Sequence, residues 1–245
     1  MLAELIEAQQ PCVALTGAGV STESGIPDFR SASGIWKKYD PREYATIDAF
    51  HRDPAKVWDF YAKRLDVLAG ARPNDGHRAL ARLERAGLVE AVVTQNVDRL
   101  HQAAGSRDVV EVHGTISSAT CLRCRARVEP EELTRLLAGS AAPECPHCGA
   151  IVKPDVVMFG ELLPVAAIER ATALARRAGL LLVVGSSLEV WPVAGLPEET
   201  LAAGGALAIV NRDPTPYDGR AAMLVRASAG EALAAAAEAL RLPAA

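Results

Sequence analysis

The run Thr94-Gln95-Asn96-Val97-Asp98 sets two amides and a carboxylate within five positions, just after an apolar stretch. Asn96 or Asp98 could serve simply as the N-cap of a following helix, but the run is too dense in polar groups for capping alone. His113 follows a second apolar stretch and precedes Gly114. A histidine at a strand end facing a cleft is a candidate general base, because its charge changes near neutral pH. A third stretch, Val13 to Arg30, runs from apolar residues into Gly17-Ala18-Gly19-Val20-Ser21-Thr22. Two glycines that let backbone N–H groups approach a phosphate, followed by hydroxyls at a helix start, read as a nucleotide-cradling turn. The full dinucleotide fingerprint is absent, since Thr22 replaces the third glycine and Gly25 and Pro27 end the helix within about a turn. The loop that follows carries Asp28, Phe29 and Arg30 side by side, a carboxylate, an aromatic face and a guanidinium suited to an anionic cofactor with an aromatic ring.

Cys121-x-x-Cys124 and Cys145-x-x-Cys148 form two close pairs. Four thiolates at that spacing close a tetrahedral zinc site with no open position for a substrate water, so one structural Zn2+ per chain is expected. His147 reads as a solvent-facing passenger between two ligands, and Cys12 as a buried small hydrophobe. His77 and His101 lie in or at helices and read as packing or capping residues.

These groups need a scaffold that brings strand ends together. Half of the 245 residues are apolar, with few aromatics, as in an α/β core of Ala, Val and Leu. Helical patterns over 77–86, 165–178, 195–203 and 230–240 interleave with apolar runs at 13–16, 91–95, 109–112, 180–184, 206–210 and 223–225. Six strands so interleaved predict a Rossmann-like doubly wound parallel sheet, with ligands at the carboxyl ends of its strands. A helix over 54–68 with Val57, Tyr61, Leu65 and Leu68 on one face looks like an insertion. The expected division is 1–30, 77–116 and 153–245 in the Rossmann-like domain, with 31–76 and 117–152 forming a small helical and zinc-ribbon domain.

Acidic residues outnumber basic ones, 30 to 26, which leaves no footprint for nucleic acid or an anionic membrane surface. The first residues are amphipathic and acidic, unlike a signal peptide, and no apolar run reaches membrane-spanning length. Paired cysteines of metal-binding type point to a reducing, cytoplasmic setting.

Taken together, Gly17 to Ser21, Ser24 to Arg30, Thr94 to Asp98, His113-Gly114, the four cysteines, Lys153 to Glu161, Gly185-Ser186-Ser187-Leu188 and Val210-Asn211 resemble the sirtuin family of NAD-dependent protein-lysine deacylases, most closely its compact bacterial members. The blocks occur in the family's order across nearly the whole chain. Gly185-Ser186-Ser187 stands where many members have Gly-Thr-Ser, and no adenine contact can be assigned near Ala229-Gly230. The resemblance implies NAD bound by Gly17, Ala18, Gly19, Thr22, Asp28, Phe29, Arg30, Gln95, Asn96, Val97, Asp98, His113, Gly185, Ser186, Ser187 and Asn211. It implies His113 as general base with Asn96 beside it, and products of free lysine, nicotinamide and O-acyl-ADP-ribose. It also implies acyl-lysine peptides lying as an added strand between Val157-Met158-Phe159-Gly160-Glu161 and Leu188-Glu189-Val190. A protein mono-ADP-ribosyltransferase and a non-catalytic zinc-ribbon module are the competing readings; a monomer is expected.

Tyr61 and Arg64, three residues apart on the apolar helix face, add one refinement. The pair resembles that with which desuccinylating sirtuins bind an acyl carboxylate, whereas Ile26-Pro27-Asp28-Phe29 looks like the plain deacetylase branch. A deacylase accepting acetyl-lysine together with succinyl- or malonyl-lysine is the expectation.

Overall fold

The computed structural model describes residues 1–243. Nine strands occur in it: β1 (Cys12–Thr16), β2 (Ala91–Thr94), β3 (Val109–Glu111), β4 (Gly114–Cys121), β5 (Arg127–Val128), β6 (Val152–Val156), β7 (Leu180–Val184), β8 (Ala206–Val210) and β9 (Met223–Val225). Six of them form one sheet in the order β3-β2-β1-β7-β8-β9, every neighbour parallel. The chain builds outward from β1 first on one side and then, from β7, on the other. That makes the boundary between β1 and β7 the switch point, where an open parallel sheet leaves a crevice.

Both faces of this sheet are covered, so its central strands are continuous apolar runs and need no alternation. Cys12 and Ala14 pack with the helices Leu2–Ala8, Asp75–Arg85 and Ala229–Ala239, whereas Val13 and Leu15 pack with Val165–Arg177 and Leu196–Ala202. Cys12 is fully buried, which raises its thiol to about 12 and makes it a small hydrophobe, as expected.

β4, β5 and β6 form a separate antiparallel sheet in the order β5-β4-β6. It begins at Gly114 and ends at Val156, so its strands reach a few residues into stretches that the sequence pattern assigns to the larger unit. Gly114 permits the handover, because its φ is +73° and a Cβ there would collide with the Asp155 carbonyl. The long helix Pro54–Gly70 covers this second sheet with Val57, Trp58, Phe60 and Tyr61, and the Trp58 indole N–H donates to the Val152 carbonyl at 2.8 Å. Asp53 caps that helix, its carboxylate accepting from the Lys56 N–H, and Pro54 occupies the first turn.

The helix Pro130–Gly139, inside the cysteine segment, has no counterpart in the sequence reading, and the other differences lie at element ends. The helix expected near Asp98 starts at Leu100, because Arg99 takes a left-handed conformation, φ 60°. Among the described residues, no helix is long and apolar enough to cross a membrane.

Candidate active site

A cavity of about 920 Å³ opens where β1, β2 and β7 end, and every residue expected to meet the cofactor lines it. The chain leaves β1 into a 3-10 helix, Ala18–Ser24, closed by Gly25 in the left-handed region. The N–H groups of Gly17 and Gly19 donate to the carbonyls of Val184 and Gly185, so those two amides are not free for a phosphate, contrary to the expected role of the turn. What the glycines supply is proximity. A Cβ at either position would lie 2.8 Å from the Gly185 carbonyl oxygen, so only bare backbone allows the ends of β1 and β7 to meet.

Ser21 also departs from expectation. It is buried, and its hydroxyl donates to Asp98 Oδ2 at 2.7 Å instead of facing a phosphate. The Ser21 oxygen in turn accepts from the Asn96 amide at 3.1 Å and lies 3.4 Å from His77 Nε2. The other ring nitrogen of His77, Nδ1, lies 3.0 Å from Asn74 Oδ1 and 3.4 Å from the Asn74 N–H, so Asn74 and Ser21 fix the ring from its two sides. The second Asp98 oxygen accepts from the Leu100 N–H, and Asn96 donates again to the Gly17 carbonyl at 3.1 Å. Asn96 and Asp98 are thereby held from both sides, and their orientation does not depend on a ligand.

Beneath them, Thr16 donates to Thr94 Oγ1 at 2.8 Å and lies 2.9 Å from His101 Nε2, which therefore carries the proton. The two imidazoles stand 4.9 Å apart, centroid to centroid. Burial pushes His77 down to about 4 and His101 to about 3, so both are neutral packing and hydrogen-bonding residues at neutral pH.

His113 sits at the crossover from β3 to β4, that is, between the two sheets. Its Nδ1 is 3.1 Å from the Gln95 carbonyl, an acceptor only, so Nδ1 bears the hydrogen and Nε2 keeps a lone pair. Burial lowers its pKa below the ordinary histidine value, opposed in part by the hydrogen bond to Gln95. The Gln95 amide donates to Ser186 Oγ at 2.9 Å, which ties the β2 end to the β7 end.

The loop after the 3-10 helix forms one wall. Asp28 turns its carboxylate to the N–H groups of Arg30 and Ser31, so it shapes the loop instead of presenting a free charge. Phe29 lies between Trp36, at 5.1 Å, and the Arg64 guanidinium, 4.8 Å above its ring. Arg30 reaches Glu189 at 3.1 Å. Tyr61 and Arg64 both line the cavity, as expected from the shared helix face.

Of the two expected substrate edges, 157–161 borders the cavity throughout. Phe159 is staked by backbone bonds to Ala45 and Ile47, and Glu161 accepts from Met158 N–H at 2.8 Å and pairs with the buried Lys153 at 3.0 Å. Met158 is buried in the cluster that packs against the second sheet. On the other edge Val190 lines the cavity, but Leu188 turns its side chain into the larger core and Glu189 points to Arg30. Leu188 and Glu189 therefore do not offer side chains to the cavity.

The four cysteine sulfurs lie within 4.8 Å of one another, with Cys121–Cys148 and Cys124–Cys145 at 3.5 Å. Sulfurs around a tetrahedral zinc with bonds near 2.3 Å stand about 3.8 Å apart, so the set fits the ion. His147 is exposed, as expected of a passenger.

Sequence reasoning missed several liners and supports. The cavity reaches Ala227, Ser228 and Ala229, beside which Glu23 bonds Ser228 Oγ at 3.0 Å and the Gly230 N–H at 2.8 Å. Asn74 holds the 3-10 helix through the Val20 carbonyl and Ser24 Oγ. A carboxylate and a cap carry no distinctive local pattern; only the fold brings them here.

The Sir2 family model matches residues 17–192. The chain is 46% identical over 232 residues to an NAD-dependent protein deacetylase of Caldivirga maquilingensis, covering 94% of this chain and 89% of that one. It is 44% identical over 229 residues to an NAD-dependent protein deacylase of Aeropyrum pernix, covering 94% and 92%. Among solved structures it superposes on a Sir2 variant with a deacetylated p53 peptide and 3'-O-acetyl ADP-ribose at TM-score 0.95, 40% identity, covering 99% and 98% of the two chains. A second, Sir2Tm bound to a propionylated peptide, gives TM-score 0.91 and 39% identity, covering 99% and 98%. With the family model matching residues 17–192 and these relatives 44% and 46% identical over about nine tenths of each chain, the chain belongs to the Sir2 family.

Proposed function

We infer that this chain is an NAD-dependent protein-lysine deacylase whose products are free lysine, nicotinamide and O-acyl-ADP-ribose. The observation that carries the reading is His113, neutral, oriented by the Gln95 carbonyl and exposed to the same cavity as the Asn96–Ser21–Asp98 cluster. When bound, NAD supplies a nicotinamide leaving group and an ADP-ribosyl acceptor for the acyl group. Ala18, Gly19, Thr22 and Ser186 would face its phosphates and ribose, and Phe29 and Arg30 would cover the nicotinamide side. Val97 and Asp98 would receive the carboxamide, and Gln95 with Asn96 the ribose hydroxyls. Asn211 would lie toward the adenine end, where Ser228 and Ala229 complete the cavity. The chain's part in the chemistry is to exclude water and to take a proton at His113 Nε2 from a ribose hydroxyl, which needs a neutral imidazole.

The acyl-lysine peptide would enter as an added strand along 157–161 and 187–190, read mainly through its backbone. Tyr61 and Arg64 support turnover of succinyl- or malonyl-lysine beside acetyl-lysine. We read residues 1–30, 77–116 and 153–245 as the NAD-binding unit and 31–76 with 117–152 as the small unit. We read the chain as a monomer; its acidic net charge supports a protein that binds neither nucleic acid nor membrane, and a four-thiol metal site suits the cytoplasm. Mass spectrometry after adding NAD and acetyl- or succinyl-lysine peptides tests the reading. Loss of the acyl mass with release of nicotinamide supports it; a peptide that gains ADP-ribose would assign a transferase, and no nicotinamide release would remove catalysis altogether.

A further inference from the structure

We propose that Thr94 is a positioning residue for His113: its hydroxyl, anchored by Thr16 and His101, orients the Gln95–Asn96 peptide so that the Gln95 carbonyl selects the tautomer of the imidazole. The proposal rests on the deacylase reading above and adds the device that keeps a proton off His113 Nε2.

A peptide unit is planar and trans, so its carbonyl and its N–H point in opposite directions. In the unit that joins Gln95 to Asn96, the Asn96 N–H donates to Thr94 Oγ1 at 3.1 Å, and the Gln95 carbonyl accepts from His113 Nδ1 at 3.1 Å. The two contacts are one constraint. With the N–H held behind, the carbonyl faces the ring; turned over, the same unit would present an N–H to Nδ1 and leave the imidazole proton on Nε2, where a base needs a lone pair. The preceding unit is held as well, since the Gln95 N–H donates to the Thr16 carbonyl at 3.0 Å.

The Thr94 hydroxyl is itself fixed. Thr16 Oγ1 lies 2.8 Å from it and His101 Nε2 lies 2.9 Å from Thr16 Oγ1, with all three residues at most 2% exposed. His101 Nδ1 is buried without a partner, so the single proton of that neutral ring belongs on Nε2, where an acceptor stands. The order His101 to Thr16 to Thr94 follows, and the Thr94 oxygen is left to accept from Asn96. The Thr94 main chain serves the same end: its carbonyl accepts the Val112 N–H at 3.1 Å and so pins the residue before His113. A side-chain substitution therefore removes control of the ring while leaving control of the main chain in place.

The test is nitrogen-15 NMR of the histidine-labelled, zinc-loaded full chain near pH ~8, where an ordinary imidazole is neutral. It reads the tautomer of each of the five histidines, and the resonances missing from His113→Gln identify His113. The wild type should carry the His113 proton on Nδ1 alone. Thr94→Val removes the acceptor and nearly keeps the shape; it should give a mixture with protonated Nε2 and lower kcat by about tenfold at saturating NAD and acetyl-lysine peptide. Thr94→Ser returns the acceptor and should restore both the single tautomer and kcat. Thr16→Val, which leaves the Thr94 hydroxyl unanchored, should shift tautomer and kcat in the same direction by less, and it carries the comparison if Thr94→Val does not fold. A wild-type His113 protonated on Nε2, or an unchanged tautomer in the folded valine variants, would overturn the proposal. A wild type without deacylation would overturn the deacylase reading alone, because the tautomer is read without turnover.

Discussion

Arg64 offers a perturbation with two separable effects. It lines the cavity, forms no ion pair among the described residues, and is stacked over Phe29 at 4.8 Å and near Phe60 at 5.9 Å. Burial lowers its pKa from the usual arginine value, the mark of a partly desolvated cation. A carboxylate at the end of an acyl chain would give it a charge-assisted hydrogen bond, worth about 1.5 to 3 kcal/mol. Arg64→Met should therefore lower kcat/KM for succinyl-lysine by roughly ten- to a hundredfold. The same change removes the stacking on Phe29, worth about 0.5 to 2 kcal/mol, and so loosens the cofactor loop for every substrate. Acetyl-lysine turnover should fall as well, by no more than several-fold. The assay is a matched pair of peptides differing only in the acyl group, measured over NAD concentration so that a cofactor effect appears as a shift in KM for NAD. Arg64→Lys should retain charge without the planar fork and fall between the two. Equal losses for both acyl groups, or a wild type that ignores succinyl-lysine, would refute the acid-acyl assignment and leave Arg64 as a support for Phe29.

His113→Ala should lower deacylation by about 10²- to 10⁴-fold while NAD binding, measured by calorimetry, is largely kept; a near-wild-type rate would remove it as the base. Because its pKa is lowered and the neutral form is the active one, the acid limb of kcat/KM should lie below pH ~6.5. Stripping zinc with a strong chelator should unfold the four-cysteine ribbon and abolish activity, since structural zinc contributes on the order of 10 kcal/mol in small modules; an unchanged melting curve after verified removal would count against it. His77 and His101, held at about 4 and about 3, are neutral in the fold yet would protonate in the unfolded chain near 6.5. Their contribution is thus fully present above pH ~6.5 and is lost as pH falls toward 4, by up to about 1.4 kcal/mol per unit and group. Tm should drop between pH 7 and 5, and His77→Asn should flatten that slope; a flat wild-type profile would contradict the buried neutral pair.

The strands of the parallel sheet were legible, while those of the second sheet were not, because each central parallel strand is buried on both faces and reads as an uninterrupted apolar run: Leu180–Val184 and Ala206–Val210 stand where the pattern puts them. The cysteine ribbon was legible because metal ligation fixes spacing along the chain. His113 was legible as a residue at the end of a strand and in a cleft, because a strand end is a local feature. Its tautomer was not, since that depends on the Gln95 carbonyl, eighteen residues away and just past the end of β2. For the same reason the Gly17 and Gly19 amides read as free donors until β7 supplied their acceptors, and Ser21 read as a phosphate ligand until Asp98 claimed its proton. Leu188 carries an apolar side chain that suits a peptide groove or a core equally well, and a left-handed backbone at φ 54° turns it into the core. Residue types and spacing determine which groups can react; which of them are already spent on one another is decided by contacts between segments tens of residues apart, and these exist only in the folded chain.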